Sequence, residues 1–367
     1  MSKKLSRRDF LERSATGAAT GIAFTGISLT AAAYARTASS DRKIRIGVVG
    51  GGFGTQFQWR QHPNCVVEVV SDLQTPRREL LMKTYGCAKS YESLEKLIED
   101  DKVEAVAVFT DAPSHARHVV ACLNRGKHVI SAVPAATSLE DCHAIKEAKE
   151  KTGLRYMMAE TSYYRPPVIG ARNLYRQGQK LLYTEGQYYH NGVTLLPSYN
   201  GWRYAMPPML YPTHATAFYV GVTGKRLTSV SCVGWRGETD QWVHNKWDNN
   251  PFACESALFA TSERTMCRVN VFWVCAADGE TGSWIWQTPV QGKTKDKVAI
   301  PPGMDYGGHG SSHGPLTHEF VTALLEDREP AVNVYEALAI TAPGIVAHRS
   351  ALNGGQRLDV PSFDRAS

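Results

Sequence analysis

The chain predicts an α/β protein in two parts, a parallel sheet with helices on both faces followed by an α+β half whose sheet is mainly antiparallel. Three observations carry this expectation. The stretch KIRIGVVGGGFGTQFQWRQHPNCVVEVVSD at 43–72 reads as strand, glycine turn, helix, second strand and terminal acid. Helical and strand patterns then alternate with short loops as far as residue 160, the grammar of a parallel sheet. Beyond that point aromatic-rich segments give way to two-residue alternation, the pattern of strands with one packed face.

Taken in order, the run 44–49 is apolar and β-branched enough for a strand buried on both faces. Gly50, Gly51, Gly52 and Gly54 follow it directly, so the backbone can turn sharply and approach a pyrophosphate. A G-x-G-x-x-G frame begun at Gly50 puts Thr55 in the third glycine position, with Gly54 one residue early. A helix carrying residues 57–61 is expected to present its amino end to that charge. The strand at 66–70 delivers Asp72 twenty positions after Gly52, where a carboxylate can accept hydrogen bonds from a ribose diol. This favours NAD over NADP, whose 2′-phosphate would face a negative charge. The unit is the opening of a Rossmann domain.

Further helices are expected at 76–85, 93–99, 114–125 and 139–151, and strands at 103–110, 128–131 and 155–159. Ser93 is placed as an amino-terminal cap, and Gly126 and Gly153 fall just past helix ends, where a left-handed residue is favoured. In the second half a helix at 168–177, strands at 227–235, 256–260, 265–274 and 283–287, and closing helices at 316–325 and 334–349 are expected. The loops between these strands hold Tyr188-Tyr189-His190-Asn191 and Trp242-Val243-His244-Asn245-Lys246-Trp247, whose flat rings and amides suit sugar rings or ordinary packing. The run GMDYGGHGSSHG at 303–314 has the composition of a flexible lid, and its His309 and His313 are weaker site candidates.

With 367 residues, 43% hydrophobic and 21% charged, the chain has room for about two domains and a sizeable core. Its first residues differ from the rest. Ser6-Arg7-Arg8-Asp9-Phe10-Leu11, a weakly apolar Gly/Ala/Thr-rich run and Ala33-Tyr34-Ala35 read as a twin-arginine export signal with a small-residue cleavage site. The glycines and threonines of that run make it a poor bilayer span, so stable membrane insertion is not expected. The expected parts are therefore a signal at 1–35, a cofactor domain at 36–160 and a substrate domain at 161–367, working in the periplasm or otherwise outside the cytoplasm. The signal holds +3 of the formal charge of +6, and no basic cluster with interleaved aromatics remains, which argues against nucleic acid. Eight cysteines show no C-x-x-C pair and no metal-ligand spacing, so buried thiols and no metal site are expected.

A Rossmann half, an antiparallel half and GKHVISAVPAA at 126–136 together resemble the glucose-fructose oxidoreductase / inositol dehydrogenase (Gfo/Idh/MocA) family over nearly the whole mature chain. Ordinary members carry Glu-Lys-Pro where this chain has Ala132-Val133-Pro134, and an Asp-x-Gly-x-His run that falls on Leu210-Tyr211-Pro212-Thr213-His214. The branch of NAD-dependent α-N-acetylgalactosaminidases is a nearer match. Val133-Pro134-Ala135-Ala136, Leu210 to His214, Val334-Tyr335-Glu336-Ala337 and Thr341-Ala342-Pro343-Gly344 are similar to it, although its glutamate is Ala132 here. The resemblance implies that Tyr211 and His214 face the sugar and that Tyr163 or Tyr164 lines the same pocket. It also implies cofactor contacts from Gly50, Gly52, Phe53, Gly54 and Asp72, and from Thr110, His115, Val133 and Pro134 at later strand ends. Copies of the chain are expected to associate through the C-terminal sheet.

The function expected first is glycoside cleavage by a redox-neutral cycle. His214 takes a hydroxyl proton as hydride leaves the same carbon, and Tyr211, or Tyr164 beside it, serves the acidified neighbouring C–H. A sugar dehydrogenase or sugar–sugar oxidoreductase with tightly held NAD is the alternative, although Val133 stands where its lysine would. The third reading is a sugar-binding protein that keeps the fold without the chemistry.

Overall fold

The computed structural model describes residues 41–190, 198–236, 244–274, 279–286 and 296–365, and the export-signal residues expected at 1–35 lie outside them. Strands β1 (Ile44–Val49), β2 (Cys65–Ser71), β3 (Ser90–Tyr91), β4 (Ala105–Val108), β5 (His128–Ser131) and β6 (Tyr156–Met158) form one sheet in the order β3-β2-β1-β4-β5-β6. Every pairing in it is parallel. Helices α1 (Thr75–Tyr85), α2 (Leu94–Leu97), α3 (His115–Asn124) and α4 (Leu139–Thr152) supply the crossovers. Their ends follow the sequence. At α4 the Ser138 side chain accepts the Asp141 N–H, Glu140 and Asp141 sit at the positive end, and Gly153 closes the helix at φ 68°.

The expected helix over 57–61 is absent, and its place is taken by two 3₁₀ turns, Phe53–Gln56 and Trp59–Gln61. The reason is length. Only the fifteen residues 50–64 join β1 to β2, and they must supply the turn at Gly50, a return of about 20 Å past the six residues of β1 and the entry to β2. Loose turns cover the gap, and buried Phe57 and Trp59 give them a core of their own. The Tyr85 hydroxyl of α1 reaches the carbonyls of Gly54 and Phe57 and so fixes the first turn and the residue that closes it.

The second sheet holds β7 (Leu181–Tyr189), β8 (Leu227–Arg236), β9 (Phe252–Thr261), β10 (Met266–Phe272), β11 (Gly279–Trp286) and β12 (Leu358–Asp359), ordered β11-β7-β10-β9-β8-β12. It is antiparallel except where β7 lies parallel to β10. Helices α5 (Pro166–Arg176), α6 (Thr213–Thr223), α7 (His313–Leu325) and α8 (Val334–Leu352) complete the chain. Every residue of α6 is buried, so the helix is apolar on all sides rather than amphipathic. Gly186 of β7 lets it approach, since a Cβ there would lie 2.1 Å from the Ala215 carbonyl oxygen. This close approach sets the first turn of α6 on the inner face of β7, and the candidate site is built there.

The glycine-rich segment at 303–314 is pinned where a free lid was expected. Asp305 exchanges two hydrogen bonds with Gln61, at 2.7 and 2.9 Å, and a Cβ at Gly314 would lie 2.3 Å from the Asp305 carbonyl oxygen, so glycine here serves close packing. The seven described cysteines are all free thiols and buried. No helix among the described residues is long and apolar enough to cross a membrane.

Candidate active site

A groove of about 510 Å³ opens at the carboxyl ends of β1, β2 and β4, the switch point of the parallel sheet. Gly50, Gly52, Phe53, Asp72 and Thr110 line it. Gly50 turns at φ 99°, and a Cβ on it would meet the Phe109 carbonyl oxygen at 2.1 Å. Gly52 differs, because a Cβ there would meet nothing nearer than Arg77 at 4.0 Å and would fill the open groove instead. The amides of Gly52 and Phe53 have no acceptor among the described residues, which leaves two adjacent donors for a phosphate. Asp72 accepts the Gly51 N–H through Oδ2 and the Gln74 N–H through Oδ1, each at 2.7 Å. Each oxygen keeps a further lone pair for a ribose hydroxyl. These features fit a dinucleotide.

Thr110 is presented to the groove by a short relay. Arg117 donates to His118 Nε2 at 2.8 Å, so the proton of the neutral ring sits on Nδ1, 2.9 Å from Thr110 Oγ1. Burial, followed by the Arg117 charge, pulls His118 down to about 4, which keeps the ring neutral. Thr110 accepts from it and can turn its own hydrogen toward a ligand. His115 is buried below the surface, with Nδ1 donating to the Pro134 carbonyl at 2.7 Å and Nε2 lying 3.1 Å from that of Thr110. It ties the end of β4 to the Val133–Pro134 bond, which is cis. His115, Val133 and Pro134 thus support the groove from behind. Gly54 is buried too, packed against Phe109 and Val48.

The second part of the site forms where α6 meets the end of β6. His214, in the first turn of α6, places Nδ1 2.8 Å from Oε1 of Glu160, the residue that follows Ala159 beyond β6. Both side chains are buried, Glu160 completely. The Ser162 N–H also donates to Glu160 Oε1 at 2.8 Å. Burial alone would raise the Glu160 carboxyl, but the charge of His214 and the bonds from His214 and Ser162 outweigh it and hold the group below the usual carboxylate range. An ionised carboxylate at Nδ1 puts the ring proton there and leaves Nε2 as the basic atom. Thr213 Oγ1 is buried beside the same carboxylate and adds a further interaction that favours its ionised form.

Aromatic rings wall this pocket. Tyr188 of β7 lies 4.7 Å from the His214 ring and 5.8 Å from that of Tyr211, and Tyr211 lies 5.6 Å from His214 and 6.2 Å from Trp273. His190 packs edge-on against Tyr188. Of the two aromatic loop segments, the first therefore reaches the site through Tyr188 and His190. In the second, Trp247 donates from Nε1 to the Trp202 carbonyl, while Asn191 and residues 241–243 lie outside the described residues. Arg203 joins the two parts. It lines the groove with its guanidinium 4.2 Å from the Trp202 ring and 5.5 Å from that of Tyr211, and no carboxylate pairs with it among the described residues.

Tyr164 is not part of this pocket, which corrects the expectation. It packs in the layer that contains Leu316 and Phe320, its only ring contact among the described residues is Tyr163, and its hydroxyl is buried without a partner. Burial first, and then the charge of Glu319, push its pKa far up, the opposite of what a base needs. His309 and His313 lie elsewhere again, packed on Phe53, and His313 also stacks on Phe57, so both brace the glycine turn. No cluster of His, Cys, Asp or Glu able to hold a metal occurs among the described residues. Sequence reasoning missed Glu160, Arg203 and Trp273. Only Glu160 had a legible signal, as an acid just past the carboxyl end of a parallel strand.

Residues 44–160 match the oxidoreductase family described by its NAD-binding Rossmann fold. A glycosyl hydrolase family 109 protein of Solibacter usitatus (strain Ellin6076) is 25% identical over 431 residues, covering 99% of this chain and 98% of that protein. Glycosyl hydrolase family 109 protein 1 of Bacteroides thetaiotaomicron is 30% identical over 175 residues, which span 44% of this chain and only 38% of that relative. Among solved structures, a levoglucosan dehydrogenase in complex with NADH and L-sorbose gives a TM-score of 0.72 at 16% identity, covering 88% of this chain and 100% of that one. Apo scyllo-inositol dehydrogenase from Lactobacillus casei gives 0.70 at 14% identity, covering 87% and 99%. These two likenesses concern the fold. The glycine turn and Asp72 thus lie within a segment, residues 44–160, that matches the NAD-binding Rossmann domain of the Gfo/Idh/MocA oxidoreductases.

Proposed function

We propose that the protein cleaves a glycoside through a redox-neutral cycle, with NAD held in the groove and His214 and Tyr211 handling protons. The observation that carries this reading is the Glu160–His214 pair at 2.8 Å with the Tyr211 ring 5.6 Å from His214, which offers two proton-handling groups to one sugar. A bound nicotinamide supplies the acceptor for two electrons and one hydrogen from a sugar carbon, and gives them back at the end of the cycle. His214 takes the hydroxyl proton of that carbon on Nε2, and Glu160 stabilises the imidazolium that results. The new ketone acidifies the adjacent C–H. Tyr211, in its deprotonated form, takes that proton as the glycosidic oxygen leaves. The incoming water gives its proton to the leaving oxygen and its hydroxide to C1, Tyr211 returns a proton to C2, and the His214 proton returns to the oxygen as the alcohol is restored. The net change is hydrolysis. Asp72 supports NAD as the cofactor, and the Gfo/Idh/MocA fold with family 109 relatives supports a carbohydrate as the substrate. The twin-arginine segment supports work outside the cytoplasm, where a cycle that regenerates its own cofactor needs no outside supply.

The test is a glycoside deuterated at C2, followed for deuterium washout, leaving-group release and cofactor absorbance. Washout and release with no net absorbance change are expected. The variant His214→Ala should lose both by about a hundredfold or more while keeping NAD. Tyr211→Phe should still form the ketone but lose washout and release together. Stoichiometric cofactor reduction without washout would replace this reading with a plain sugar dehydrogenase, which needs His214 but no second base. Wild-type turnover in both variants would remove the segment at 211–214 from the chemistry.

A further inference from the structure

A second buried carboxylate lies behind the segment that carries Tyr211. Glu255 of β9 is fully buried, accepts the Met209 N–H through Oε2 at 2.7 Å, and accepts from His348 Nδ1 of α8 through Oε1 at 2.8 Å. Met209 sits in the 3₁₀ turn Pro208–Leu210, and the Tyr211 N–H closes that turn on the Pro208 carbonyl at 2.9 Å. A carboxylate survives such burial only where its partners hold it, and here both of its oxygens are taken.

The other side of the turn is gripped as well. A Cβ at Gly344 would lie 2.2 Å from the Met209 carbonyl oxygen and 2.3 Å from Pro212, so α8 touches the turn with bare backbone one helical turn before His348. Upstream, the Trp273 indole donates to the Met206 carbonyl at 2.7 Å, and Asn250 donates to that of Ala205, a non-glycine residue at φ 52°. The path from 205 to 211 is thus clamped by side chains from three separate segments. Its outcome is the placement of one ring against Tyr188 and His214.

We propose that Glu255, supported by His348, is a positioning residue for Tyr211. The role assigned to Tyr211 rests on the proposed function, whereas the placement of its ring does not. Glu255 touches neither the groove nor the His214 ring, so its action runs through the Met209 amide. Glu255→Leu frees that amide. Glu255→Gln keeps an acceptor for it, with the amide group turned toward His348.

The experiment labels the full chain with fluorotyrosine and assigns the Tyr211 fluorine resonance by its loss in Tyr211→Phe. Glu255→Leu should shift or broaden that resonance and leave the resonance of Tyr164, in the other core layer, unmoved. Glu255→Gln should restore it, and His348→Ala should displace it in the same direction by less. In turnover, Glu255→Leu should lower C2 washout and leaving-group release on the order of tenfold or more, with the ketone-forming step and KM near wild type. An unmoved Tyr211 resonance, an equal shift at Tyr164, or an equal loss in the ketone-forming step would overturn the proposal. Should Glu255→Leu fail to fold, Glu255→Gln and His348→Ala carry the same comparison. Should the wild type cleave no glycoside, the proposed function fails and the resonances still decide the positioning role.

Discussion

Glu160 Oε1 lies 2.8 Å from His214 Nδ1, across 54 positions of sequence, and the carboxylate has no exposure to solvent. The acid reaches the histidine from the end of the parallel sheet, outside the histidine's own segment. Glu160→Gln should keep the shape and lose the charge that orients the ring. We expect ketone formation to fall by about a hundredfold to ten-thousandfold, the scale seen when a buried histidine loses its orienting carboxylate, with cofactor binding unchanged. Single-turnover absorbance with titrated NAD checks both halves.

The same pair governs part of the acid stability. The Glu160 carboxyl is held below its ordinary 4.5 in the folded state, so the pair stabilises above that pH and its contribution is lost as pH falls past 4.5 and through the folded value. His62 acts with the same sign over a higher window. Burial, followed by the charge of His318, lowers it from 6.5 to about 3, so the folded protein refuses a proton that the unfolded chain takes up below 6.5. We expect this one group to remove about 1.4 kcal/mol per pH unit between roughly pH 6 and pH 4. His62→Gln, which can still accept the Asn64 N–H, should flatten that slope in denaturant titrations run across the pH range.

Gly50 and Gly52 should separate folding from binding. Gly50→Ala puts a methyl 2.1 Å from a backbone oxygen at φ 99° and should cost more than about 2 kcal/mol of stability. Gly52→Ala puts it into the groove, so the melting curve should move little while NAD affinity falls by about tenfold or more, near 1.4 kcal/mol. Calorimetric titration beside a thermal melt tests the contrast.

Asp72→Ala should weaken NAD by about 1–3 kcal/mol. Because Asp72 also holds the Gly51 amide, part of that loss should appear as loosening of the empty turn. Arg77 remains in the groove after the change, so NADP binding should gain relative to NAD. Mass spectrometry of cofactor released by heat, wild type against variant, reads it directly.

The parallel sheet was legible in the sequence because its strands are continuous apolar runs between short loops, and the observed ends of β5 and α4 fall within a residue of those expected. The second sheet was read less well, and β7 was not seen at all. After Leu181 its buried positions are Thr184, Gly186 and Tyr188, which carry no aliphatic alternation, and Gly186 is small because α6 rests on it. α6 was itself unread, since THATAFYVGVT is buried on every side and shows no stripe. Tyr211 and His214 could be named from their motif, but Glu160, Tyr188 and Trp273 reach them only through packing between distant segments. Tyr164 was misplaced for the opposite reason, since nearness in sequence to β6 does not say which layer a ring turns into.

The strand order of the second sheet also sets when the site can exist. β7 pairs on one side with β10 and on the other with β11, so the first strand of that sheet to be synthesised is enclosed by two of the later ones. The β10 strand that pairs with Tyr188, and the Trp273 ring beside it, are made only about eighty residues later, and such long-range closure is slow compared with the local helix and turn formation of the first half. A nascent chain stopped before β10 would carry the glycine turn without the His309 and His313 rings that brace it, and an aromatic wall that lacks Trp273. In this molecule the glycine turn is written early along the chain, while the rings that brace it and the ring that completes the aromatic wall are written much later.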